Sequence, residues 1–173
     1  SFGYYSYDSE GTRAVKKAVI EGGVLKAYLH SRETASTMNQ EVTGNARAQS
    51  FNYPPVVRMS NTYLAPGDYR FQEMIEDIDF GVYLKGSGGG EVDTARGVFQ
   101  FNAEEGFLID GGELTKAVRD VSLSGKTLEI LQRINAVGRD FAVHIGYCGK
   151  ASQSVRVGSG GPHVRTYATV GGT

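Results

Sequence analysis

Few residues in this chain can carry chemistry. It holds one cysteine, Cys148, and three histidines, His30, His144 and His163. A thiolate is both a nucleophile and a soft metal ligand, and zinc takes cysteine sulfur and histidine nitrogen in four-coordinate sites. No two histidines lie three to five residues apart, so no local segment presents a pair of imidazoles and the chain lacks a self-contained zinc site. His144 and Cys148 stand four apart in Val143-His144-Ile145-Gly146-Tyr147-Cys148-Gly149, but two ligands leave a tetrahedral site incomplete. By residue type alone His144 reads as a hydrogen-bonded surface residue and Cys148 as a small buried hydrophobe. The surroundings of Cys148 argue otherwise: Gly146 and Gly149 flank it, Lys150 follows, and Ser152, Gln153 and Ser154 come next. That setting places the thiol on a loop beside a cation that favours thiolate. Cysteine hydrolysis would need His30 or His163 to arrive through folding, and nothing in the sequence arranges it. A serine hydrolase is weaker still, because no Gly-x-Ser-x-Gly elbow precedes a helix.

The run Lys85-Gly86-Ser87-Gly88-Gly89-Gly90 invites a phosphate-loop reading. It lacks the Gly-Lys-Ser/Thr ending and leads into Glu91 and Asp93 instead of a helix N-terminus. A wide turn remains, or a loop whose missing side chains let a peptide backbone come close. The second reading makes Gly88, Gly89 and Gly90 candidate substrate-binding residues.

The elements that must position these groups are strand-rich. Glycine accounts for 24 of 173 residues against four prolines, which fits tight turns between short strands better than a helical bundle. Lysine and arginine total 18 against 19 aspartates and glutamates, so no net field exists to hold nucleic acid or anionic lipid. No apolar run approaches a membrane span, and the start has neither a basic nor an apolar leader region. One cysteine allows no internal disulfide, so a reducing compartment is the simpler expectation and the cytoplasm the expected location. The length suits a single domain, 1–173. The opening without methionine, in the aromatic run Phe2, Tyr4, Tyr5, Tyr7, reads as part of something longer.

Residues 12–30 predict a hairpin turning at Glu21-Gly22-Gly23. Residues 31–50 form a polar connection with a helical turn at Arg32-Glu33-Thr34-Ala35, and Pro54-Pro55 leads into a strand from Val56. Asp68 is the expected N-cap of a helix through Ile78. Val82 to Lys85 reads as a strand. Val98, Phe99, Phe101 and Phe107, Leu108, Ile109 suggest a second hairpin, and a last helix is expected over Thr127 to Ala136 with Leu128, Leu131 and Ile134 on one side. These elements predict an α+β fold of mostly antiparallel β-sheet, barrel- or sandwich-like, with two or three short helices.

In order along the chain stand Ser1-Phe2-Gly3-Tyr4 with Asp8-Ser9-Glu10-Gly11; Ile20 to Leu25 with Tyr28 to Ala35; Thr43-Gly44-Asn45-Ala46-Arg47-Ala48; Arg58-Met59-Ser60-Asn61-Thr62-Tyr63; Ala65-Pro66-Gly67-Asp68; the Lys85-to-Asp93 loop; and Cys148-Gly149-Lys150 with Val157-Gly158 and Pro162. Taken together in this order, these segments resemble the C-terminal domain of the TldD/PmbA family. The resemblance implies a zinc-dependent peptidase acting on unfolded or extended peptides, built from a catalytic TldD-type and a non-catalytic TldE/PmbA-type subunit; a homodimer is the other arrangement. In TldD-type subunits a His-Glu-x-x-x-His helix and one cysteine of this domain hold the metal, and that cysteine looks like Cys148. The helix is absent from this sequence, so the resemblance implies no catalytic residue here, one metal ligand, and no tight zinc binding by this chain alone. A non-catalytic PmbA/TldE-like partner or scaffolding domain, with Cys148 incidental, is the alternative.

Overall fold

The computed structural model describes residues 2–172, so Ser1 of the opening motif lies outside them. The chain divides into two compact units, one from the residues up to Ala65 with Phe141–Gly161, the other from Pro66–Asp140 with the residues from Pro162 on.

In the first unit the dominant element is a hairpin whose strands Ala142–Lys150 and Gln153–Gly161 pair along their whole length, from Ala142 opposite Gly161 to Lys150 opposite Gln153. The reversal is made by Ala151 and Ser152, both at positive φ (51° and 58°), the conformation a two-residue turn needs to match the twist of its strands. Asn61–Tyr63 joins the other side of Gln153–Gly161 in parallel. The sheet order therefore leaves Ala142–Lys150 at an edge.

The buried residues of this unit are Ala35, Ala46, Val155 and Val157 together with the polar Asp8, His30, Ser31, Asn45, Arg58 and Gln153. So small an apolar core cannot order the segment alone, and hydrogen bonds do much of the holding. The Asp8 carboxylate accepts from the backbone N–H of Glu10, Thr12 and Ala46. Lys17 donates to Asn45 Oδ1 at 2.7 Å, and burial lowers its pKa, partly offset by Asp8. The helical turn expected after residue 31 extends as a helix over Arg32–Met38, opened by a capping box between Ser31 and Thr34. The first expected hairpin also forms, as Ile20–Glu21 against Val24–Leu25 around Gly22-Gly23.

The second unit contains two antiparallel sheets. One has the order Glu113–Val118, Glu105–Asp110, Phe80–Lys85; the other runs Thr169–Gly171, Ser122–Lys126, Val98–Asn102, Gly90–Asp93. Val98–Asn102 and Glu105–Asp110 are thus strands, as expected, but do not pair with each other. The link Ala103-Glu104 explains why: Ala103 N–H donates to Val121 O and Glu104 N–H to Lys85 O, so consecutive residues are drawn to different sheets.

Two helices differ from expectation. Asp68 caps nothing, because Tyr69 is bridged to Gly138 and the chain stays extended past it. The helix runs Phe71–Ile75 from Arg70, whose N–H is accepted by the Glu73 carboxylate at 2.7 Å. The last helix stops at Gln132, since Ala136–Val137 is taken up in pairing with Val164–Arg165; Leu128 and Leu131 are exposed instead of inward.

The fold is α+β, rich in antiparallel sheet, with three short helices among the described residues and no sheet closed into a barrel. No described helix is long and apolar enough to cross a membrane.

Candidate functional site

Cys148 lies in the edge strand of the long hairpin, opposite Val155, and not on a loop. The reversal occurs three residues later, at Ala151-Ser152, which leaves Cys148 within regular pairing. Its thiol is free and half-buried. His144 shares its face of the strand, because side chains alternate with period two, yet four residues of strand separate their backbones by roughly 13 Å. That spacing keeps the two from gripping one ion. His30 is buried, with Nδ1 3.1 Å from Thr34 Oγ1 and Nε2 without a hydrogen-bond partner among the described residues. Among the described residues no three histidine, cysteine, aspartate or glutamate side chains gather as a metal group.

What surrounds the cysteine end of the hairpin is a set of side chains donating to main-chain carbonyls. Arg58, 1% exposed, donates through Nη2 to the carbonyls of Cys148 and Gln153. Arg47 reaches Met59 O at 2.7 Å and Arg156 O at 2.8 Å. Lys150 Nζ donates to Val57 O at 3.0 Å, so the cation next to Cys148 is engaged with backbone. Gln153 donates to Pro54 O and accepts from Gln49 N–H. Burial lowers the Arg47 pKa; Tyr5, whose ring lies 4.7 Å away, opposes this, Arg58 adds to it, and Cys148 opposes it. Neither guanidinium has a carboxylate partner within ion-pair distance among the described residues.

By its chemistry Cys148 fits zinc as one ligand, a soft, half-buried sulfur on a regularly paired strand, and among the described residues no further donors gather beside it. Sequence reasoning named the cysteine but missed Arg47, Arg58 and Gln153. The signal available was an arginine in each of two short motifs, Asn45-Ala46-Arg47 and Arg58-Met59-Ser60, and nothing local distinguishes a buried arginine from a solvated one.

In the second unit, Gly88, Gly89 and Gly90 enter the exposed edge strand Gly90–Asp93. Gly88 N–H and Gly89 O exchange hydrogen bonds with Asn102 at 2.8 Å. A Cβ at Gly90 would lie 2.2 Å from Gln100 O and 2.5 Å from the Phe101 ring. The fold's own strand pairing thus requires glycine at position 90.

His163 is held at both ring nitrogens, 2.8 Å from Asp140 Oδ2 and 2.8 Å from the Tyr83 hydroxyl, against Phe71 at 4.9 Å between centroids. Desolvation raises the Asp140 pKa, but the side-chain and backbone hydrogen bonds from His163 outweigh it and leave the carboxyl below its ordinary value. A depressed carboxyl contributes stability above its unfolded pKa and loses it as pH falls through the folded one. Asp140→Asn is therefore expected to flatten the acid limb of a urea-midpoint titration by a small amount, given the exposure of the pair. An acid limb identical in variant and wild type would show that the pair does not contribute.

A family model described as the PmbA/TldA metallopeptidase C-terminal domain matches residues 1–172. A metalloprotease of Methanocaldococcus jannaschii is 55% identical over 170 residues, spanning 98% of this chain and 38% of that protein. A zinc metalloprotease TldD homolog of Saccharolobus solfataricus is 38% identical over 159 residues, 92% of this chain and 36% of that one. The crystal structure of TldE from Thermococcus kodakarensis superposes with a TM-score of 0.74 at 21% identity, over 96% of this chain and 36% of that chain, a likeness of fold. The chain spans well under half the length of these relatives. On the match of its whole described length, it belongs to the PmbA/TldA metallopeptidase C-terminal domain family.

Proposed function

We propose that this chain is the C-terminal domain of a longer TldD-like subunit, a zinc-dependent peptidase of the cytoplasm acting on unfolded or extended peptides, with Cys148 as one zinc ligand. The observation that carries the reading is the half-buried, free Cys148 thiol on an edge strand, in a chain whose relatives are named metalloproteases. The zinc, when bound, supplies Lewis acidity and an activated water. This chain's own part is to hold one sulfur in place and to offer strand edges, Ala142–Lys150 and the Gly88–Gly90 entry to Gly90–Asp93, along which an extended peptide adds its backbone.

The surface supports a further subunit or further polypeptide. Exposed Ile145 and Tyr147 on the edge strand are apolar surface of the kind that interfaces cover. A TldE/PmbA-like subunit, or a second TldD-like copy, is the proposed partner. The competing reading, a non-catalytic partner or scaffolding domain, leaves Cys148 without a task.

A chelator separates metal-dependent from metal-free cleavage. The intact subunit treated with chelator is expected to lose hydrolysis of an extended peptide and regain it with zinc, while this chain alone, with one thiolate donor, is expected to show no submicromolar zinc binding by calorimetry. Full activity in the chelator would revive cysteine hydrolysis and overturn the zinc reading.

A further inference from the structure

We infer that Arg58 is a positioning residue for the sulfur of Cys148, setting where the edge strand presents it; the inference rests on the zinc-ligand reading above. Two strands of a hairpin can shear or twist against each other, and a metal ligand on the outer strand moves with them. One Arg58 side chain constrains both strands near the turn: Nη2 carries two protons and gives them to Cys148 O in the outer strand and Gln153 O in the inner one. Its own backbone is tied down as well, because Asn45 Nδ2 donates to Arg58 O at 3.0 Å and Arg58 N–H donates to Asn45 O at 2.9 Å.

Cost argues for a purpose. Burying a guanidinium without a carboxylate is expensive, and two of its nitrogens, Nε and Nη1, have no acceptor among the described residues. An apolar side chain of similar volume would fill the same space without leaving donors unpaired. What such a side chain cannot do is grip two carbonyls across a strand pair, which the two N–H of the planar Nη2 group, fixed in the guanidinium plane, do. Arg47 also donates to two carbonyls, Met59 O and Arg156 O, and so ties the inner strand of the hairpin to the segment that precedes Asn61–Tyr63. Groups that orient a metal ligand without touching the metal commonly change affinity by about ten- to a hundredfold when removed.

The test uses the intact subunit loaded with zinc, and separately with cobalt(II), whose thiolate charge-transfer band reports the metal–sulfur bond. Arg58→Gln is expected to weaken zinc by at least about tenfold and to reduce the band, measured well below the variant's own melting temperature. Arg58→Lys, which keeps the charge but loses the planar group's fixed pair of N–H, should fall between it and wild type. A folded Arg58→Gln with wild-type affinity and band overturns the inference. If that variant does not fold, Arg58→Lys decides: weakened metal binding in the folded protein supports positioning, and wild-type binding overturns it. Failure of both to fold also overturns it, by assigning Arg58 to the fold alone. Cys148→Ser run in parallel keeps the two ideas apart, because retention of zinc and band in that variant would defeat the ligand reading itself.

Discussion

Replacing Cys148 by serine in the intact subunit is expected to weaken zinc binding by more than about a hundredfold and to abolish peptide hydrolysis with it. The magnitude follows from coordination: a catalytic zinc is held by three protein ligands, and losing one costs more than the ten- to hundredfold typical of residues that merely orient ligands. Serine is close in size, but its hydroxyl remains protonated near neutrality and is a poor donor to zinc. The fold should barely respond, since the thiol is half-buried and free, and substitutions at such positions cost well under about 1 kcal/mol. Zinc stoichiometry by elemental analysis, with a thermal melt as control, reads both halves. Unchanged zinc content and unchanged hydrolysis would strip Cys148 of its role.

The largest effect on stability is expected at Asp8. Its carboxylate, 8% exposed, accepts from Glu10 N–H at 3.0 Å and Thr12 N–H at 2.8 Å through Oδ1 and from Ala46 N–H at 3.0 Å through Oδ2. One side chain thereby closes the turn near the start of the chain and pins it to the strand Ala46–Arg47, from which Arg47 reaches Arg156. Hydrogen bonds to a charged acceptor contribute about 1.5–3 kcal/mol each, and a buried amide left unpaired adds its desolvation cost. Asp8→Ala should lose about 3 kcal/mol or more in urea unfolding, allowing water to reach some of the exposed amides. Asp8→Asn should lose less: one oxygen still accepts, while the amide nitrogen now faces a donor. A loss below about 1 kcal/mol for Asp8→Ala would mean that the Asp8 bonds are not what holds this segment.

Much of the local structure was legible because it depends on neighbours in the chain. Gly22-Gly23 between apolar residues specified a hairpin turn by backbone conformation alone, and Ser31 followed by Thr34 carried its own capping chemistry. The misplaced elements share a different cause. Asp68 had every local qualification for an N-cap, but Tyr69 was claimed by Gly138, some seventy residues away. The Thr127–Ala136 periodicity was real, yet its last residues were recruited into a strand by Val164–Arg165. Val98–Asn102 and Glu105–Asp110 each read correctly as strands, while the choice of partners lay with Val121 and Lys85. Arg47 and Arg58 could not be told from surface arginines, since their burial depends on carbonyls up to 109 positions distant.

By itself the sequence determined the inventory: one sulfur, three scattered imidazoles, balanced charge, and glycines enough for many turns, from which the expectation of no self-contained zinc site follows by counting. Its ordered motifs also carried the resemblance to the family. Only the tertiary structure decided that the sulfur sits on an edge strand instead of a loop, that His144 is too far along that strand to share an ion with it, and that the buried guanidinium of Arg58 braces the hairpin. Counting donors needs no geometry. Pairing a carbonyl with an arginine across ninety residues does, because the free energy of that bond exists only once the intervening chain has packed.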